Sequence, residues 1–252
     1  MKIKYILLIF IVILSFMYTN KVVDYSKINN TILTSIEEYS KENNKYCIEG
    51  KINELGIILS FDGKIVDKNK SYSNMKGNLF NENLIEYKED DCILNKENNL
   101  DKYIISGNEI ENNISLVIDI INEKNYKEMI NIFEKNEVQY NLLVNDNYDD
   151  TYTNNLLYKG TNIKEFSKRY ENIYCVQYKE DILEQCKNRK INSIKIINYI
   201  DDNLYQNIKK LLNKGNIYFI KESNKNLNNL EITIKYIKSR GYNIVSVNEL
   251  LS

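Results

Sequence analysis

Between Asn113 and Asp146 the chain reads "NISLVIDIINEKNYKEMINIFEKNEVQYNLLVND". An apolar run, Ile114 to Ile121, is interrupted by one carboxylate, Asp119. An amphipathic stretch follows from Tyr126 to Asn136, with Met129, Ile130 and Phe133 spaced to share one helical face. A second apolar run, Tyr140 to Val144, completes the unit. Strand, helix and strand in this order predict parallel pairing. Burying an unpaired carboxylate costs several kcal/mol, so a lone acid in such a strand is either paired or at the mouth of a site.

The alternation continues downstream through "IKEFSKRYEN", "IYCVQY", "KEDILEQCKNRK", "SIKIINY", "NLYQNIKKLLNKG", "NIYFI", "NLEITIKYIKSRG" and "NIVSV". Gly215 and Gly241 stand where helices would end. Repeated βα units predict a mostly parallel sheet or barrel whose strand C-termini share one face, where α/β sites are built. Upstream, "GIILSFDGKIVD" carries a turn signal at Asp62-Gly63 and suggests a hairpin. "NKENNLDK" reads as a linker before the main domain near Tyr103.

At 252 residues the chain can bury a sizeable core. Lys+Arg 34 against Asp+Glu 35 leaves a net charge of -1, which gives no electrostatic case for nucleic acid. The count of His is 0, so the commonest metal ligand and the usual neutral-pH base are both missing. Pro 0, Trp 0 and heavy use of Asn, Lys, Ile and Tyr fit the drift of an AT-rich genome.

Lys2 and Lys4 precede an apolar run from Tyr5 to Tyr18, the pattern of a secretory segment or a short signal anchor. As a helix this run rises ~21 Å against a hydrocarbon core of ~30 Å, so a span would borrow flanking residues. No small-x-small cleavage site follows, which favours an uncleaved anchor, with the domain outside the cytoplasm, over a cleaved signal peptide and secretion. Cys47, Cys92, Cys175 and Cys186 permit two disulfides, and four cysteines allow three connectivities. Proximity in sequence suggests Cys47–Cys92 and Cys175–Cys186; buried free thiols are the alternative.

On particular stretches the chain resembles the polysaccharide deacetylases with a NodB-homology domain. "GNIYFIKESNKNLNNLEITIKYIKSRGYNIVSVNELLS" looks like that family's closing strand, helix and last strand, and "ISGNEIENNISLVIDI" is similar to the lead into its first catalytic strand. "GKIVDKNKSYSNMKGNLFNENLIEYKE" looks like the N-terminal region of a sporulation-associated, membrane-anchored subgroup. The resemblance implies a distorted, incomplete (β/α) barrel with an N-terminal membrane anchor and a small N-terminal region. The expected division is 1–20 anchor or signal peptide, 21–102 tether and small region, and 103–252 deacetylase-like domain.

The resemblance also shows what this chain lacks. The family's Thr-Phe-Asp-Asp-Gly motif falls on Val117-Ile118-Asp119-Ile120-Ile121, so Asp119 matches the general base while Ile120 replaces a metal-ligating acid. The metal-binding His-x-x-x-His pair is absent, and the general-acid histidine falls on Lys221. No cofactor is expected, because a catalytic metal of this type needs three protein ligands and a bound water. The acid cluster Asp146, Asp149 and Asp150 does not fit a calcium loop, since Tyr148 and Thr151 occupy its third and sixth positions, and it reads as a solvated loop. Two functions remain open. One is an extracytoplasmic, inactive homologue that binds cell-wall glycan or an envelope protein, in sporulation on the subgroup resemblance, with Tyr148, Tyr152, Tyr178 and Tyr218 lining a glycan groove. The other is a residual N- or O-deacetylase that uses Asp119 with Lys221 or Glu222, which requires those side chains to converge.

Overall fold

The computed structural model describes residues 2–121, 124–149, 152, 154–178 and 181–252. Along the chain run α1 (Lys2–Asn43), β1 (Lys51–Asn53), β2 (Gly56–Ile58), β3 (Gly63–Val66), α2 (Lys68–Met75), β4 (Tyr87–Asp90), β5 (Tyr103–Ser106) and β6 (Asn113–Asp119). Then come α3 (Tyr126–Lys135), β7 (Asn141–Val144), β8 (Leu156–Tyr158), α4 (Ile163–Arg169), β9 (Tyr174–Gln177), α5 (Leu183–Lys187), β10 (Ser193–Lys195) and β11 (Asn198–Ile200). The chain ends with α6 (Leu204–Leu211), β12 (Ile217–Lys221), α7 (Asn224–Ser239), β13 (Asn243–Ile244) and α8 (Val247–Leu250).

Two compact units form. The first comprises 1–47 and 62–91, the second 48–61 and 92–252. In the first, α1 packs Ile32 and Ile36 on Val66 and Met75, and β3 pairs antiparallel with β4. The hairpin expected across Asp62-Gly63 does not form, because β2 pairs with β1 and β5 while β3 pairs with β4. Gly63 serves close approach instead, since a Cβ there would lie 2.4 Å from the Lys45 carbonyl oxygen. By length and composition α1 can cross a membrane, with an 18-residue window of mean hydropathy 1.5, and a signal sequence would look the same.

The second unit is an eleven-stranded curled sheet in the order β1-β2-β5-β10-β9-β8-β7-β6-β12-β11, with β13 on β6. Every pairing in it is parallel except that of β1 with β2. In that order β10 and β11 stand far apart, yet only Ile196 and Ile197 separate them in sequence. Three Cα steps reach at most about 11 Å, so the sheet must curl until the two meet. The run Ser193–Ile200 therefore pairs with β9 and β5 in its first half and with β12 in its second, which draws the two sides of the sheet together.

Side-chain alternation then sorts the core into two layers. Leu116, Ile118, Leu142, Tyr158, Cys175, Tyr218 and Ile220 face the helices, with Met129, Ile130 and Phe133 of α3 among their partners as expected. Val117, Leu143, Leu157, Tyr174, Val176, Ile194 and Phe219 fill the barrel interior. Cys175 and Cys186 form a disulfide that staples α5 to β9, and Cys47 and Cys92 are also disulfide-bonded, so free thiols are ruled out.

Candidate functional site at the barrel mouth

The interior face of β6 carries Val117 and, two residues on, Asp119, so the strand alternation places this carboxylate at the C-terminal mouth of the barrel. Asp119 is fully buried. Lys159, two residues beyond Leu157 on the same face, brings its ammonium group onto Asp119 Oδ1 and also donates to the Ile120 carbonyl oxygen at 3.0 Å. The hydroxyl of Tyr199 donates to Asp119 Oδ2 at 2.7 Å. Burial, and then this hydrogen bond to an anion, hold the Tyr199 phenol above its ordinary range.

Two tyrosines frame the mouth. The Tyr178 and Tyr199 rings meet edge-on with centroids 6.4 Å apart, and the Lys159 ammonium lies 4.9 Å from the Tyr178 centroid. Each of the two residues is 37% exposed. They border an open cleft of ≈ 440 Å³ that Gln177, Lys195 and Ile196 complete. A larger hollow of ≈ 1010 Å³ opens near Asn172 and Asn192, at the strand N-termini, the end of a barrel that serves stability.

The loop that carries Lys159 is held from outside the barrel. Asp146 accepts hydrogen bonds from the Tyr158 hydroxyl, from the Thr161 amide at 3.0 Å and from the Asn162 amide at 3.1 Å. Burial works to raise its carboxyl, but these donors outweigh burial and hold it below the usual range. Gly160 is required here, because a Cβ would lie 2.5 Å from the Tyr158 hydroxyl oxygen. Asp146 is thus a structural hub of its loop and not a freely solvated acid. Asp149 is exposed, and Asp150 lies outside the described residues.

The other expected site residues separate. Lys221 is the register partner of Asp119, yet its ammonium pairs with Asp201 on the far side of β12, because Lys159 and Tyr199 already occupy the Asp119 oxygens. The Asp201 carboxylate raises the Lys221 ammonium above its usual range. Glu222 is buried and accepts from the Ile121 amide at 3.0 Å and the Asn125 amide at 2.6 Å, which ties the chain just after β6 to the residue before α3. Tyr218 is fully buried in the helix-facing layer and donates its hydroxyl to the Leu211 carbonyl, so its ring lines no groove. Tyr148 is likewise buried and donates to the Tyr152 carbonyl oxygen, and both pack with the helix-facing core. Of the expected tyrosines, Tyr178 stands at the mouth. Tyr199 and Lys159 were not expected: Tyr199 reaches Asp119 across β12, and Lys159 follows a three-residue strand that lacks a distinctive pattern.

A dication does not suit this donor set. Asp119 is already in contact with an ammonium ion, Ile120 turns into the helix-facing core, and the chain has no histidine. Among the described residues the mouth therefore supplies a neutralised carboxylate beside an aromatic cleft.

No protein-family profile and no curated protein matches this sequence. Solved structures do. BA3943 from Bacillus anthracis, a CE4 family pseudoenzyme, matches with a TM-score of 0.61 at 14% identity, over 88% of this chain and 95% of that one. The barrel unit has the CE4 fold. A BA3943 mutant, a CE4 family pseudoenzyme with restored enzymatic activity, matches with a TM-score of 0.55 at 14% identity, over 88% of this chain and 98% of that one. The distorted, incomplete barrel expected from the resemblance to polysaccharide deacetylases is thus the observed CE4 fold, with its curled sheet and helices outside it.

Proposed function

We propose that this chain is a catalytically silent CE4-fold protein, anchored by α1 with its folded units outside the cytoplasm, that holds cell-envelope glycan at the barrel mouth. The observation that carries this reading is the contact of the Lys159 ammonium with Asp119. A carboxylate that accepts from an ammonium and a phenol is a poor general base, and among the described residues no electrophile stands opposite it to stabilise an oxyanion. The half-exposed rings of Tyr178 and Tyr199, with Lys195 and Gln177 as polar neighbours, offer a face for a sugar ring. BA3943 is itself a pseudoenzyme, and a mutant of it has restored enzymatic activity, so this fold carries both inactive and active chains. A role in spore formation follows from the resemblance of the 63–89 segment. A residual deacetylase would need Asp119 to work with Lys221 or Glu222, and each of the three is engaged by different partners.

Calorimetric titration of residues 20–252 with zinc, cobalt and muropeptide-type glycans tests the proposal, together with acetate release from an acetylated chitooligosaccharide. The expected result is no acetate, and glycan binding that Tyr178→Ala weakens about tenfold, the worth of one lost aromatic stack. Metal-dependent acetate release that Asp119→Asn abolishes would overturn it.

A further inference from the structure

We propose that the 77–84 loop of the first unit rests on the headgroup boundary of the bilayer that α1 enters, so that Leu79 and the α1 surface beside it form a second membrane contact. The proposal rests on the anchor reading and places one further segment at the lipid.

The argument begins with the shortness of the apolar run. Residues 5–18 rise ~21 Å, and a hydrocarbon core of ~30 Å takes about six residues more. Those residues bring the boundary to Asp24 and Tyr25. Val22, Val23 and Tyr25 are exposed on this stretch of α1, apolar and aromatic groups of the kind that sit at a headgroup level. The 77–84 loop is fastened at the same level. The Gly77 amide donates to Asn29 Oδ1 at 3.2 Å, and a Cβ on Gly77 would lie 3.0 Å from the Tyr25 ring. Gly77 also has φ +82, a left-handed backbone conformation that favours glycine.

Beyond that fastening point stands Leu79, 82% exposed and more so than any other large apolar side chain among the described residues. A hollow of ≈ 860 Å³ between Ile28 of α1 and Leu79 and Leu84 of the loop opens beside it. A soluble protein partner would have to bind within the headgroup layer, whereas lipid is already present at that height.

The chain has no tryptophan, so a single substitution gives a clean reporter. Full-length Leu79→Trp, Tyr18→Trp and Tyr46→Trp variants are reconstituted into phosphatidylcholine–phosphatidylglycerol vesicles with and without brominated acyl chains. Tyr46 is exposed beyond the C-terminal end of α1, and α1 itself rises ~27 Å from Tyr25 to that end. The expected result is strong quenching at 18, a blue-shifted and quenched emission at 79, and neither effect at 46. Emission at 79 as unquenched as at 46, with 18 quenched, would overturn the loop contact and leave the anchor standing. Absence of quenching at all three positions would overturn the anchor and the contact with it.

Discussion

Replacing Lys159 with methionine removes the cation from a fully buried carboxylate and leaves the aliphatic volume nearly unchanged. The Lys159 side chain is 7% exposed and Asp119 is 0% exposed, so solvent offers neither group much compensation. Removing one partner of such a pair costs about 3–5 kcal/mol, because the other charge stays buried and unpaired. Tyr199 still donates to Asp119 in the variant, which puts the expected loss at the lower end, about 3 kcal/mol. For a chain of this size that corresponds to a fall in Tm of roughly 6–12 °C. Asp119→Leu should cost a similar amount by stranding the ammonium, and its Tyr199 hydroxyl, on a half-exposed ring, can turn to water. The double variant Asp119→Leu/Lys159→Met, which places apolar groups on both sides, should lose less than either single variant, about 1 kcal/mol or less. Urea unfolding followed by circular dichroism measures all three. A double-variant loss equal to the sum of the single losses, or a Lys159→Met cost under about 1 kcal/mol, would refute the reasoning.

Two further predictions concern the supports outside the barrel. Cys175→Ala/Cys186→Ala opens a loop of sequence separation 11 and should cost about 3 kcal/mol by urea unfolding, with α5 released before the sheet in hydrogen exchange. The Asp146 carboxyl is held low in the folded chain, so its stabilisation is complete above the unfolded carboxyl range near pH 4 and is lost as pH falls through the folded value. Asp146→Asn should therefore be less stable than the parent at pH 6, and the gap between them should close toward pH 2 in thermal melts.

Much of the barrel is legible in the sequence because its strands alternate with amphipathic helices. Met129, Ile130 and Phe133 announce α3, and one acid in an apolar strand marks the mouth. Parity would have gone further: Tyr218 has the parity of Ile220 and points at the helices, whereas Tyr178 continues the line of Val176 into the mouth. The partners of Asp119 are a different matter, since no local pattern contains them. Lys159 follows a strand of three residues, and Tyr199 reaches the acid only because β11 pairs with β12, a relation set by sheet order. The hairpin suggested at Asp62-Gly63 misled for a similar reason, as close packing on Lys45 also requires a glycine.

The run from Ser193 to Ile200, which changes neighbours halfway, governs the order in which the molecule can be assembled. β6 gains its β12 neighbour only after about a hundred further residues have been added to the chain. Tyr199 arrives on the run that also closes the sheet, so Asp119 waits for most of the polypeptide before its second oxygen is satisfied. A chain emerging from its N-terminus keeps this acid in a wetter, looser strand until late. Premature termination near residue 190 would then remove the cavity altogether, since no smaller version of it exists along the way.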